Sequence, residues 1–340
     1  MPKAIAICTP VTDYLINLDH IPQPNSFARL NAQSWQFGGN AATAIVTAAR
    51  QGLDCGIIAP VGDDDMGSAQ EVDFARHGVD TRYLFKRKDT ATPFVIAMSD
   101  QETGGRSFLS AGSSIRRIQP EELDLDYLRT AKYLLLDSNT EATRLAADTL
   151  LAQGGEVMFD ASSYSQSQEE MLPHTSIYIA SEFYLKTRYP GLPALEACRE
   201  MLRRGPHTVL FTLGAQGCVG LSKQGDEIRL PAFPVPQVVD TTGCGDTFHG
   251  AYIVALDRGL SPLDCARWAS ASSAIKCTAI GGRAGQPTAR EVEHFLQTGE
   301  MDLAFLPERL QYYQRVHYTL EDARLAEAQI RAALHKAESP

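Results

Sequence analysis

Six short apolar runs set the limits on this fold: AIAIC at 4–8, CGIIAPVG at 55–62, YLLLD at 133–137, EVMFDAS at 156–162, SIYIAS at 176–181 and TVLFTLG at 208–214. Each is bounded by Gly, Asp or Ser, and its apolar residues are continuous rather than alternating, which is how a strand covered on both faces reads. Helical segments such as 141–153 and 193–204 alternate with them. The pattern predicts an α/β fold with a mostly parallel, doubly wound sheet flanked by helices. In such sheets ligands gather beyond the carboxyl ends of the strands, where Asp13, Asp137, Asp160, Glu182 and Gly214 fall, although strand-end capping explains these residues equally well. Two stretches stand outside the alternation. Residues 14–37, and 91–112 around a QETGG turn, read as short hairpins with alternating apolar positions.

Composition narrows the partners. A net charge of -10 argues against a general role on nucleic acid or a membrane surface, which needs clustered Lys and Arg. The KRK run at Lys86–Lys88 is too short to change that. No apolar run approaches the ~18 residues of a membrane span, and the single Lys before the first strand does not make a signal peptide, so a cytoplasmic enzyme is expected. The seven cysteines, Cys8, Cys55, Cys198, Cys218, Cys244, Cys265 and Cys277, lack metal-binding spacing and fit reduced thiols. No Gly-Lys dipeptide occurs anywhere in the 340 residues, which excludes a Walker A loop.

Chemistry concentrates in VVDTTGCGDTFHGAYIVAL, Val238 to Leu256. Gly243-Cys244-Gly245 reads as a turn opening onto an apolar helix, with Asp246 in its first turn. Free N–H groups and the positive end of the helix dipole favour an anion there, and small residues let a phosphate approach the backbone. A carboxylate beside such an anion hole can take a proton from a hydroxyl while the hole stabilises a transferred phosphoryl group. An ordinary helix cap would look the same. A second glycine turn, Gly38-Gly39-Asn40, opens an alanine-rich helix that ends at Gly52, and alone it reads as structural.

Together, in order and separation, the two motifs resemble the paired signatures of the PfkB, or ribokinase-like, family of sugar kinases, and the likeness extends over residues 4 to about 297. The resemblance implies a ribokinase-like fold with a small β-sheet lid, formed by about 14–37 and 91–112 on a kinase domain of residues 1–300, and a homodimer through that lid. It implies ATP and Mg²⁺ as cofactors and a sugar as the small-molecule partner. Asp246 aligns with the catalytic base, and Gly243, Cys244 and Gly245 with the anion hole, Cys244 standing where alanine is usual. Asp13, taken as the end of the opening strand, and Gly38, Gly39 and Asn40 align with the sugar site. Thr212, Gly214 and Gly217, with Thr242, align with the ATP site.

Departures from the family pattern refine these expectations. The usual N-x-x-E motif is IASEFYL here, which keeps Glu182 to organise hydrated Mg²⁺ but lacks the Asn. The resemblance also implies K⁺ held near Asp240, Thr242, Lys276 and Gly281, with Arg283 as a fixed charge able to replace it. Ser181-Glu182, FHGA, KCT and GGRAG are most similar to the sulfofructose kinase branch, yet Phe27 and Asn139 stand where that branch carries its sulfonate-binding cations. A nucleoside kinase, with Phe27, Trp35 and Phe94 covering a base, and a retired sugar-binding regulator are the alternatives. Beyond the family match, residues 301–340 form a helical extension with Leu310, Tyr313, Leu320, Ala323, Ala328 and Ile330 as apolar positions, expected to pack on its own domain.

Overall fold

The computed structural model describes residues 1–100, 102 and 106–314. In chain order it runs β1 (Ala4–Ile7), β2 (Val11–Leu18), β3 (Leu30–Gly38), α1 (Asn40–Arg50), β4 (Cys55–Gly62), α2 (Asp65–Arg76) and β5 (Val79–Arg87). Next come β6 (Phe94–Asp100), β7 (Arg106–Ala111), α3 (Leu125–Arg129), β8 (Tyr133–Leu136), α4 (Glu141–Ala152), β9 (Glu156–Ala161) and α5 (Gln166–Glu169). The rest is β10 (Ile177–Ser181), α6 (Glu182–Arg188), α7 (Ala194–Leu202), β11 (Thr208–Thr212), β12 (Cys218–Ser222), β13 (Glu227–Leu230), α8 (Cys244–Asp257), α9 (Pro262–Lys276), α10 (Ala289–Thr298) and α11 (Leu306–Tyr312).

All six apolar runs are strands of one nine-stranded sheet, ordered β13-β12-β11-β10-β9-β8-β1-β4-β5. Its strands pair in parallel except for β12 and β13, which close one edge antiparallel. Every residue of β1, β4 and β8 is buried, because helices cover both faces. On one face α1, α8 and α9 supply Ile45, Phe248, Tyr252 and Ile275, and on the other α4 and α7 supply Ala146, Leu150 and Met201. Chain order reverses at β1, which lies between β8 and β4, so the crevice of a doubly wound sheet opens at the ends of these strands.

The two hairpin stretches join into a second sheet, β3-β2-β6-β7, in which β2 pairs antiparallel with β3 and parallel with β6. Trp35 stacks between Tyr14, at 4.5 Å between ring centroids, and Phe94, at 5.7 Å, so it belongs to this lid. Most of the QETGG turn lies outside the described residues. One expectation needs correction. Asp13 does not end the opening strand: β1 stops at Ile7, and Asp13 sits on β2, paired with Gln36 of the lid. Pro10 has no N–H to continue a ladder, and the chain leaves the main sheet there.

The C-terminal extension, as far as it is described, packs on its own domain. Tyr313 is buried, donates its hydroxyl to Asp73 at 2.8 Å and accepts the Trp35 N–H on its carbonyl at 2.8 Å, which ties α2 to the lid. Arg76 lies over the Tyr312 ring. The expected positions Leu320, Ala323, Ala328 and Ile330 lie outside the described residues.

Candidate active site

A cleft of about 360 Å³ lies between the lid and the main sheet, a size suited to a monosaccharide. Asp13, Gly38, Gly39 and Asn40 line one side, and Thr242, Gly243 and Asp246 the other. Val11, Val95 and Phe108 reach in from the lid. The two glycine motifs, some two hundred residues apart in the chain, therefore face a single space.

Local geometry explains the glycines. Gly243 is the N-cap of α8 with φ 77°, and a Cβ there would come within 2.7 Å of the Gly282 Cα. Among the described residues no side chain caps α8; the Cys244 N–H turns back to the Thr241 carbonyl at 3.2 Å, and the start of the helix faces the cleft, where its dipole favours a bound anion. Gly38 packs so closely on the Asp13 carboxylate that a Cβ would collide with it. Asn40 donates to the Ser162 hydroxyl at 3.0 Å, and Ser181 donates to the Ser162 carbonyl at 2.7 Å. Ser162 thus joins the cleft to the start of α6, a role for which its sequence context carries no signal.

Several buried carboxyls crowd the cleft. Burial pushes Asp13 up to about 7, with the Arg283 charge opposing the shift. Burial and then the neighbouring Asp160 hold Asp246 well above the usual carboxylate range, and burial with Asp137 does the same to Asp160. Asp160 Oδ2 has no hydrogen-bond partner among the described residues and lies 3.5 Å from His249 Nδ1. Burial lowers the proton affinity of His249, whose Nδ1 donates to the Gly245 carbonyl at 2.6 Å and so braces the first turn of α8. FHGA signalled His249 only as a family trait, not as a support for Asp246.

The remaining expected residues fall into two neighbouring groups. Ser181 pairs with Thr212 across β10 and β11, which sets Glu182 beside the Gly214 turn, where Glu182 Oε1 is 3.6 Å from a Cβ placed on Gly214. Gly214 and Gly217 both adopt positive φ, at 56° and 91°, and a Cβ on Gly217 would run into the Leu230 carbonyl. Ile179 stands where the N-x-x-E pattern has its Asn, and Ser181, next to Glu182, caps α6 by accepting from the N–H groups of Phe183 and Tyr184. Thr212, Gly214, Gly217 and Glu182 are not part of the cleft lining and form an adjoining surface at the sheet end. No group of three or more His, Cys, Asp or Glu side chains gathers to hold a metal among the described residues. Glu182, whose carboxylate also accepts from Lys186, is a single carboxylate, which fits Mg²⁺ held mainly by water and phosphate.

The second group is Asp240, Thr242, Lys276 and Gly281. Asp240 accepts from the Thr242 N–H at 2.9 Å and hydroxyl at 2.8 Å, and from the Gly281 N–H at 2.8 Å. Lys276 donates to the Asp240 carbonyl at 2.9 Å, so this cluster contains a cation of its own. Arg283, expected as the fixed charge here, is turned away: its guanidinium bonds Asp73 at 3.3 Å and the Ala42 carbonyl at 3.1 Å. Phe27 is fully exposed, and Asn139 bonds the Ser167 carbonyl at 2.6 Å. Among the described residues lining the cleft there is no Lys or Arg.

A carboxylate set beside an open helix N-terminus, under a lid, is built to move a phosphoryl group onto a small-molecule hydroxyl. The chain belongs to the pfkB family of carbohydrate kinases, whose model matches residues 9–289. It is 27% identical over 300 residues to a ribokinase of Haemophilus influenzae, covering 83% of this chain and 96% of that protein. It is 27% identical over 266 residues to a nucleoside kinase of Methanothermobacter thermautotrophicus, covering 76% and 84%. A putative ribokinase II from E. coli in complex with ATP and Mg²⁺ superposes with a TM-score of 0.76 at 24% identity, covering 87% of this chain and 99% of the other. The protein is accordingly a phosphotransferase, a sugar or nucleoside kinase of this family. No helix among the described residues is long and apolar enough to cross a membrane.

Proposed function

We propose that this enzyme phosphorylates a primary hydroxyl of an uncharged sugar, a ketose or related carbohydrate, at the expense of ATP. The observation that carries this reading is that Asp13, Asn40 and Asp246 face one cleft with the N-terminal turn of α8. Asp13 and Asn40 bind sugar hydroxyls, and Ser162 fixes the Asn40 amide. Asp246 accepts the proton of the attacking hydroxyl, and its raised proton affinity suits it to that task near neutral pH. The N–H groups of Gly243, Cys244 and Gly245 hold the phosphoryl oxygens. Thr212, Gly214 and Gly217, with Thr242, bind the nucleotide, and Glu182 orients the water around the metal. ATP with Mg²⁺, when bound, supplies the phosphoryl group and offsets its charge. Val11, Val95 and Phe108 close over the sugar and keep out water, which would otherwise hydrolyse ATP.

The described lining supports an uncharged substrate. An anionic substituent enclosed by the lid without a paired cation costs several kcal/mol, and the described residues lining the cleft include no basic side chain. Sulfofructose is therefore disfavoured. Phe108 in the lining supports a second reading, a nucleoside acceptor whose base it would cover. The exposed lid residues Phe27, Leu30, Phe108 and Leu109 support a homodimer through the lid, which sedimentation velocity tests. The acceptor is tested by ADP release across ketoses, aldoses, nucleosides and sulfofructose. A free ketose is expected to have the highest kcat/KM. Preference for a nucleoside would move the reading to the second class, and preference for sulfofructose would overturn the uncharged-substrate argument.

A further inference from the structure

We propose that Lys276 provides, from within the chain, the positive charge that holds the entrance to the anion hole in shape, so that turnover needs no monovalent cation from solution. The inference rests on the reading of Asp246 and the α8 N-terminus as the phosphoryl-transfer site.

Lys276 is the last residue of α9 and is fully buried. Burying an ammonium is costly unless acceptors surround it. Its Nζ donates to the Asp240 carbonyl at 2.9 Å and to the Ala279 carbonyl at 3.4 Å. Burial by itself would raise Asp240, yet the Lys276 charge together with hydrogen bonds from Gly281 and Thr242 holds its carboxyl below the usual value. Asp240 is thus an anion that gathers two loops. Its side chain takes the Thr242 N–H and hydroxyl on one side and the Gly281 N–H on the other, while its carbonyl takes the ammonium. The Val239 N–H adds a bond to the Cys277 carbonyl at 2.8 Å.

The link to chemistry is short. Thr242 is followed by Gly243, the N-cap of α8, which packs directly on Gly282, the neighbour of Gly281. Movement of either loop shifts the N–H groups that face the transferred phosphoryl oxygens, and such groups must be placed to within a fraction of an ångström. Two carbonyl oxygens beside a carboxylate are also the donor set that a hydrated alkali cation would seek. A tethered ammonium occupies that set permanently, whatever the ionic composition outside. Arg283 does not compete for the role, because its guanidinium is committed to Asp73 and the Ala42 carbonyl. Lys276 is then a positioning residue that touches neither sugar nor nucleotide.

The test uses the full-length enzyme with ATP, Mg²⁺ and its best acceptor, in buffers whose only monovalent cation is tetramethylammonium, Na⁺, K⁺ or NH₄⁺. Wild-type rates are expected to agree within about twofold across all four. Lys276→Ala is expected to lose on the order of 10²-fold in kcat in tetramethylammonium, the scale seen when an anion-hole donor is misplaced. K⁺, NH₄⁺ or methylammonium should restore about tenfold or more of that loss in a saturable manner, with KM for the acceptor little changed. Lys276→Met, which keeps the apolar stem and leaves no room for an ion, should lose activity without rescue. A wild-type rate that rises severalfold in K⁺ over tetramethylammonium overturns the proposal, and so does a folded Lys276→Ala that no small cation rescues. If Lys276→Ala does not fold, the wild-type cation series alone decides. A wild type inactive on every sugar and nucleoside would instead sink the reading of the site on which this inference stands.

Discussion

The Sγ atoms of Cys244 and Cys277 lie 3.0 Å apart, joining the first residue of α8 to the C-cap of α9. Contact with the Cys277 thiol and burial push Cys244 well above its ordinary value, so the pair is a slow nucleophile near neutral pH and a faster one as pH rises. Peroxide would convert one thiol to a sulfenic acid and water, and the second thiol would displace water to close a disulfide. Treatment with hydrogen peroxide is expected to abolish kinase activity, with recovery in dithiothreitol. Cys277→Ser should block disulfide formation, so mass spectrometry of the treated variant should find no 244–277 cross-link. A wild type that is fully oxidised at both cysteines yet keeps its activity would contradict this.

Asp13 should trade stability for binding. Its folded pKa of about 7 lies above the usual 3.8, so between these values the native protein holds a proton that the unfolded chain has released. Stability contributed at low pH is therefore lost as pH rises through about 7. Asp13→Asn removes that titration. The variant is expected to be more stable than wild type by about 1 kcal/mol or more at pH 8, to match it near pH 4, and to bind the acceptor more weakly. Thermal melts at both pH values check the sign, and a variant less stable at pH 8 would show that the carboxylate has a structural partner.

Gly243 and Gly245 should respond differently to the same substitution. Gly243→Ala places a side chain at φ 77° against Gly282, at a cost of about 1–3 kcal/mol in stability together with loss of activity. A Cβ on Gly245 meets nothing within 4 Å, so Gly245→Ala should fold within about 0.5 kcal/mol of wild type. Any activity lost by Gly245→Ala then reports the approach of the phosphoryl group rather than the fold. Equal melting temperatures for the two variants would contradict the distinction.

The main sheet was legible because parallel strands buried on both faces write themselves as continuous apolar runs, as at Tyr133–Leu136. The two glycine turns were legible because few other residues tolerate their backbone. Asp13 was misplaced because AIAICTPVTD is apolar almost throughout, and only Pro10 marks the point where the chain changes sheets. The contacts of Lys276 with Asp240 and of Cys244 with Cys277 span 36 and 33 residues and depend on how α8 packs on α9, which no local pattern encodes. Arg283 shows the limit most clearly. Its neighbours GGRAG pointed to the anion hole, yet its side chain turns to Asp73, 210 residues away, where Phe74 and Tyr313 complete a buried cluster.

The central claim is that Asp246 is the base of the transfer, poised beside the amides of the Gly243 turn. The direct test is kcat of Asp246→Asn measured alongside nucleotide affinity. Asn keeps the size of the side chain and removes its basicity, so the variant is expected to fold and bind ATP as wild type does while kcat falls by ~10³-fold or more. A folded variant that retains more than about a tenth of wild-type turnover would remove Asp246 from the proton transfer and contradict the account.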